Sequence, residues 1–178
     1  ICDLDWIAIY NNLKKNYIKD LKFLKKFISV LLNNEQQDIA IKSIDEIRLS
    51  NNDYSFFAME LGYYYLSLND YSDSLIEYLN HLEKYPNHFT LISERIMMFP
   101  NQKEINNEII PLLQKSKMIE TKIILSDIYF KMGAPLKSVD VLKEHKLYEE
   151  LLSIAINLNL NKNYNISQEL YLYIVKNG

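Results

Sequence analysis

The sequence predicts an all-α fold built of stacked helix hairpins. Glycine and proline are rare, with 3 and 4 among 178 residues, which leaves too few turn formers for a many-stranded sheet. Apolar residues recur at three- and four-residue spacing along almost the whole chain, as in helices that bury one face. This spacing returns in similar blocks, so the repeating unit is a pair of helices.

The clearest unit is the block of 34 residues at 55–88. Two apolar stripes in it are separated by a polar connection in which Asn69, Asp70 and Asp73 favour a turn and a helix N-cap. Gly62 is the small residue that allows the two helices to approach closely. The stripes contain Leu61, Gly62 and Tyr65, then Ser74, Tyr78 and His81, and Pro86 ends the unit.

The same pattern divides the rest of the chain. A leading helix is predicted in residues 1–20, capped by Asp3 or Asp5 and either continuous with the next helix or broken near 11–12 or 16. In the fourth unit Gly133 lies at the turn, Pro135 opens the second helix, and that helix is shortened at 143–147. The predicted units are 21–54, 55–88, 89–118, 119–147 and 148–178; the third is degenerate, because bulky Ile96 stands where the small residue belongs.

The order of large apolar, small, aromatic, small and aromatic residues, closed by proline, resembles the tetratricopeptide repeat. Small residues of that family lie at Gly62, Ala40, Ser126 and Ala155 in this chain. The resemblance implies a right-handed α-solenoid of helix hairpins, in which the first helix of each hairpin lines the concave side. We call the surface formed by those first helices the first-helix face.

Composition and motifs exclude several function classes. A net charge of -3 does not suit a nucleic-acid partner, and apolar runs are too short for a membrane span. Cys2 is isolated from any histidine, His81 and His88 are separated by Pro86, and carboxylates such as Asp70, Asp73, Glu77, Glu149 and Glu150 have the spacing of caps or solvated faces. We therefore predict no catalytic residue, metal site or cofactor, and a cytoplasmic location favoured by the single cysteine.

The candidate binding residues are those of the first helices that the repeat does not need for packing. They form an apolar and aromatic wall suited to a helix or an extended segment of a protein partner. Family members that hold chaperone tails use a clamp of Lys and Asn here; Lys25 matches it, whereas Ser29 and Glu60 replace the asparagines. The candidates are Lys22, Lys25, Phe56, Met59, Tyr63, Leu66, Ile123, Asp127, Phe130, Leu152 and Ile156.

Within the repeat family, the chain resembles the second, tetratricopeptide subunit of the endoplasmic-reticulum membrane protein complex. The similar positions are Asp3 and Trp6 followed by Leu13, Lys14 and Lys15; the run 38–41 with Ile44, Glu46, Ile47 and Arg48; and Gly62, Asp70, Tyr71, Ser74, Tyr78 and Pro86. This resemblance implies a scaffold on the cytosolic face of that membrane, which binds loops and helices of membrane-embedded insertase subunits and a second soluble subunit.

Two functions remain open from the sequence. The first is a non-catalytic scaffold subunit of a stable complex, indicated by the apolar first-helix face and the lack of a reactive constellation. The second is a transient adaptor for chaperone tails or targeting signals, indicated by Lys22 and Lys25. An enzyme is not expected.

Overall fold

The structure, a computed structural model, describes residues 5–17 and 20–178. In these residues it contains eleven α-helices, one short 3-10 helix and no strand, which confirms the all-α class. Successive helices pack on one another along the chain. The α-helices are α1 Trp6–Tyr17, α2 Leu21–Asn33, α3 Gln37–Asn51, α4 Ala58–Ser67, α5 Tyr71–Lys84, α6 Phe89–Met97, α7 Lys103–Lys115, α8 Ile119–Lys131, α9 Pro135–Glu144, α10 Tyr148–Leu160 and α11 Tyr164–Asn177; the 3-10 helix is Pro86–His88.

Several helix ends lie where the turn and cap residues predicted them. The side chain of Asp70 accepts a hydrogen bond from the backbone N–H of Asp73 at the start of α5. Pro135 is the first residue of α9, where its missing N–H costs no helical hydrogen bond, and α9 is short, ending at Glu144. At the N-terminus α1 ends at Tyr17 and α2 begins at Leu21, so the two are separate helices.

The leading helix is capped by the second of its two candidates. The Asp5 carboxylate accepts a hydrogen bond of 2.9 Å from the Ala8 backbone N–H. Cys2 and Asp3, an expected inert thiol and the alternative cap, lie outside the described residues.

Six connections share one backbone geometry. In each, the middle residue has positive φ, and the N–H of the following residue donates to a carbonyl five positions earlier, which closes the preceding helix in a Schellman arrangement. Gly133, with φ of 74°, is the glycine among the middle residues. The other five are Glu35, Asn52, Asn69, Lys146 and Lys162, with φ between 49° and 64°. Three of the six residues, Glu35, Lys146 and Lys162, are of types that do not favour the left-handed conformation, so the sequence does not indicate these turns.

Small residues allow the two helices of a hairpin to pack closely in three of the hairpins. The Ser74 hydroxyl on α5 donates to the Gly62 carbonyl on α4 at 2.8 Å, and Ser167 on α11 donates to the Ala155 carbonyl on α10 at 2.8 Å. In the α8/α9 hairpin the hydroxyl oxygens of Ser126 and Ser138 lie 2.7 Å apart. All these residues are buried, as is Ala40 on α3. Each predicted small position is therefore buried at a helix contact rather than exposed to water.

The degenerate unit packs differently. Helices α6 and α7 approach each other less closely than the partners of the other hairpins do, and each packs instead against α5 and α8. Ile96, at the position of the small residue, is buried in the central core between these helices. Its bulk fills the space that Gly62 leaves free in the preceding unit, which explains the wider separation.

Two lysines of α8 close the ends of α6 and α7. The buried Lys122 Nζ donates to the carbonyls of Leu113, Gln114 and Ser116, at 2.7 to 3.1 Å, where α7 ends. Lys131 Nζ donates to the carbonyls of Met97 and Phe99, at 2.6 and 2.7 Å, where α6 ends. These ammonium groups satisfy carbonyls that a helix end leaves without partners, and they attach the loosely packed unit to its neighbour.

We expect Lys122→Met to lower the free energy of unfolding by about 2 kcal/mol, because three helix-end carbonyls lose a charged donor. Urea unfolding followed by circular dichroism measures the change. Lys117→Met, at an exposed position in the same connection, is the matched control. Equal stability of the two variants would contradict the capping role.

A buried ion pair joins α3 to α5. Arg48 donates through NH1 to Glu77 Oε1 at 2.9 Å, donates through NH2 to the other carboxylate oxygen, and donates through Nε to the Phe56 carbonyl at 3.0 Å. Arg48 and Glu77 are 5% and 7% exposed. The prediction of Glu77 as a cap or solvated carboxylate was therefore wrong, because Arg48, 29 residues earlier, folds over onto it.

Candidate functional site: two grooves on the first-helix face

Two grooves open between first helices of neighbouring hairpins. The N-terminal groove, between α2 and α4, has a volume of about 340 Å³ and is lined by Ser29, Leu32, Asn33, Phe57, Glu60, Tyr63, Tyr64 and Ser67. The C-terminal groove, between α8 and α10, has a volume of about 320 Å³ and is lined by Ile123, Ser126, Asp127, Phe130, Leu142, Glu150, Ser153, Ile154 and Asn157. Both lie on the face that the repeat pattern predicts as the binding surface.

The C-terminal groove combines apolar walls with two carboxylates. Ile123 and Phe130 of α8 and Ile154 of α10 supply the apolar surface. Asp127 lies on the same helix face between the two α8 residues, and Glu150 faces it from the first turn of α10. Among the described residues, neither carboxylate takes part in an ion pair or a hydrogen bond from a side chain.

Burial, and in second place the nearby negative charge of Glu150, together raise the pKa of Asp127 to about 6. Other charges near the groove are engaged elsewhere. Lys131, one turn along α8, donates to carbonyls at the end of α6, and Lys143 of α9 lies over the Tyr173 ring at 4.5 Å. The Asp127 carboxylate is therefore ionised at neutral pH without a cation beside it.

This electrostatic cost predicts a pH-dependent stability. Because the folded-state pKa of Asp127 lies above the unfolded value of about 4, the unfolded chain loses its proton first, and stability falls as pH rises from about 4 to about 6. We expect Asp127→Asn to remove this part of the profile, so that the variant gains stability relative to wild type across that interval. Denaturant unfolding across the interval measures the difference, and a difference that stays constant with pH would refute the expectation.

The N-terminal groove is aromatic, and its charges are already paired. Lys25 Nζ lies 3.0 Å from the Glu60 carboxylate and 5.7 Å from the centre of the Phe56 ring. Tyr63 is 60% exposed, and the guanidinium of Arg95 on α6 lies over its ring at 5.5 Å. This groove thus presents an aromatic surface, and the lysine that matches the family's clamp, Lys25, is paired with Glu60 of its own chain.

Phe56 is a correction to the predicted face. It was expected on the exposed side of a first helix, but α4 begins only at Ala58, and Phe56 is 5% exposed in the N-terminal core. Arg48 donates to the Phe56 carbonyl in this turn, and the next residue, Phe57, adopts a positive φ of 59°. Phe56 therefore packs under the groove and cannot contact a partner.

The other candidates divide into three groups. Tyr63, Ile123, Asp127 and Phe130 line the grooves. Lys22, Leu152 and Ile156 are exposed on α2 and α10 but outside the groove linings, since α10 turns Glu150, Ser153, Ile154 and Asn157 toward the cleft instead. Met59 and Leu66 are half-buried against the central core.

Sequence reasoning missed Glu150. It lies in the first turn of α10, where an acidic residue is an ordinary helix-terminus feature, so its local context gave no sign of a groove. A signal was available in the spacing: residues 150, 153, 154 and 157 form one stripe of a helix, and this stripe lies beside the apolar stripe that packs.

The structure also brings two histidines together. His81 Nε2 and His88 Nδ1 lie 2.8 Å apart, with the rings stacked, because the 3-10 helix that begins at Pro86 turns the chain back onto the end of α5. The expected separation of these residues was wrong. Burial and the charge of His88 lower the pKa of His81. The described residues contain no group of three or more His, Cys, Asp or Glu side chains placed to hold a metal ion.

Comparisons with family models, with curated proteins and with solved structures gave no match for this chain. The resemblances to the tetratricopeptide repeat and to the insertase subunit therefore stay predictions. No helix within residues 5–17 and 20–178 combines the length and the apolar character that crossing a bilayer requires.

Proposed function

We propose that this chain is a non-catalytic protein-binding scaffold, a subunit of a multi-protein complex that holds segments of its partners on the first-helix face. The observation that carries the proposal is the pair of grooves on that face, each of about 320 to 340 Å³ and each formed between the first helices of adjacent hairpins. Grooves at a fixed position of a repeating unit are how helical repeat proteins present extended binding surfaces.

The chemistry of the face supports a protein partner. Tyr63 and Phe130 provide aromatic surface, and rigid aromatic side chains are frequent anchors of protein interfaces. Exposed Leu152 and Ile156, at 41% and 46%, extend the apolar surface beyond the C-terminal groove. A right-handed solenoid, as the repeat resemblance implies, would align the two grooves along one partner segment.

The resemblance to the insertase subunit suggests which complex to test first. In that case the chain acts in the cytoplasm, peripherally on the endoplasmic-reticulum membrane, and binds cytosolic loops or helices of membrane-embedded subunits. The alternative, an adaptor for acidic chaperone tails, is less well supported, because Lys25 is paired with Glu60 at 3.0 Å and Ser29 replaces a clamp asparagine.

Site-specific photo-crosslinking in the native cell tests the proposal. A photoreactive residue is placed at Tyr63 or Ile156 on the first-helix face, and at Leu172, an exposed α11 position outside both grooves, as the control. We expect the first two positions to give defined protein adducts, identified by mass spectrometry, that Leu172 does not give. Insertase subunits among them would support the specific complex; adducts from Leu172 alone, or none, would refute the scaffold role.

A further inference from the structure

The C-terminal groove has a charge that its own chain does not balance. Asp127 and Glu150 face the cleft from α8 and α10, and no described lysine or arginine forms an ion pair with either. The N-terminal groove differs in this respect, because its acidic residue, Glu60, is paired with Lys25. The two grooves of the same face therefore have different electrostatic requirements.

The surroundings of the two carboxylates restrict what can satisfy them. Ile123, Phe130 and Ile154 line the same cleft, so a bound group must bring apolar surface together with positive charge. Lysine and arginine side chains do this, because an aliphatic stem carries the charged head. A cation held there would relieve the repulsion between Asp127 and Glu150 and replace water at a half-buried carboxylate.

On these grounds we infer that the C-terminal groove binds a partner segment in which one lysine or arginine, flanked by apolar residues, inserts between Asp127 and Glu150. The inference rests on the proposed function and names the partner chemistry for one of its two grooves. The two grooves then bind different features of the partner: the C-terminal groove selects a basic residue, whereas the N-terminal groove contributes aromatic contact at Tyr63.

Selection from a phage-displayed library of random short peptides on the full chain tests this inference. We expect the enriched peptides to share one basic residue between apolar neighbours. Synthetic copies of an enriched peptide are then titrated by fluorescence anisotropy against wild type, Asp127→Asn and Glu150→Gln. Each groove variant is expected to lose about tenfold or more in affinity, as for the loss of one partner from a half-buried charge pair.

Glu169→Gln, an exposed acid on α11 outside the groove, is the matched control and should bind as wild type does. Replacing the basic residue of the peptide by norleucine keeps the aliphatic stem and should abolish the difference between wild type and Asp127→Asn. Circular dichroism of each variant verifies that the fold is intact.

Three results would overturn the inference: no enrichment over the empty support, enriched peptides without a basic residue, or basic peptides whose affinity the groove variants leave unchanged. None of these would by itself refute the scaffold role, which the crosslinks from Tyr63 and Ile156 decide separately. If those crosslinks are absent but the basic peptide motif is confirmed, the groove binds peptides and the proposed role as a subunit of a complex is wrong.

Discussion

Glu77→Leu is expected to lower the free energy of unfolding by about 3 to 5 kcal/mol, because it leaves the Arg48 guanidinium buried without its carboxylate. This loss is a large part of the stability of a domain of ordinary size, which is about 5 to 15 kcal/mol. Urea unfolding followed by far-UV circular dichroism measures it. The same treatment of Arg48→Met should give a loss of similar size, with the Phe56 carbonyl also losing its donor.

The double variant Arg48→Met/Glu77→Leu decides whether the charge or the packing matters. Replacing both partners of a buried pair by apolar residues of similar volume removes the desolvation cost together with the attraction. We therefore expect the double variant to be more stable than either single variant, with a coupling energy of about 2 kcal/mol or more. Additive losses would show that the pair contributes packing alone. A folded double variant beside a single variant that fails to fold would also show that the unpaired charge, not the packing, is what destabilises the chain.

Gly62→Ala is expected to destabilise the chain by about 1 to 3 kcal/mol, although alanine favours helices more than glycine does. A Cβ at this position would lie 2.7 and 2.8 Å from two atoms of the Tyr78 ring and 3.3 Å from the Ser74 carbonyl oxygen. Tyr78 is completely buried, and close-packed protein interiors leave little room for a ring to shift. Relieving the clash therefore requires α4 and α5, the most closely packed pair among the described helices, to move apart.

Gly133→Ala and Tyr78→Leu provide the comparisons for this prediction. At Gly133 an added Cβ meets no atom within 4 Å, and only the positive φ of 74° is strained, so we expect a smaller loss of about 1 kcal/mol. Tyr78→Leu in the Gly62→Ala background should remove the clash and reduce the combined loss below the sum of the single losses. Thermal unfolding of the four variants tests both expectations; equal effects of the two glycine substitutions would contradict the close-approach role of Gly62.

Local chemistry made much of the fold predictable. Helical spacing of apolar residues, the Asp70 cap, the Gly133 turn and Pro135 at a helix start each act within a few residues, and the structure has helix ends at all of them. Ile96 in place of a small residue likewise predicts that the third unit packs differently, because side-chain volume limits how closely two helices approach. Glu35, Lys146 and Lys162 show the limit: they adopt the left-handed turn without any residue-type signal.

The candidate site was only partly predictable, because some of its contacts join residues that are far apart in the sequence. Tyr63, Ile123, Asp127 and Phe130 lie on first helices at positions that the repeat leaves unpacked, and they line the grooves. Phe56 was misplaced by a helix that starts three residues later than the repeat suggests, a shift associated with its contact to Arg48. The pairing of Lys25 with Glu60 bridges 35 residues and has no local signature.

What the sequence by itself determined is the helical class and several of the helix ends, because these depend on interactions between residues a few positions apart. Only the tertiary structure decided which charges are paired and which are left open. Arg48 meets Glu77, Lys122 meets the end of α7, and Asp127 meets Glu150 across separations of 6 to 29 residues along the chain. Such encounters follow from how the hairpins stack, and a carboxylate looks the same in sequence whether its neighbour in space is a guanidinium or a second carboxylate.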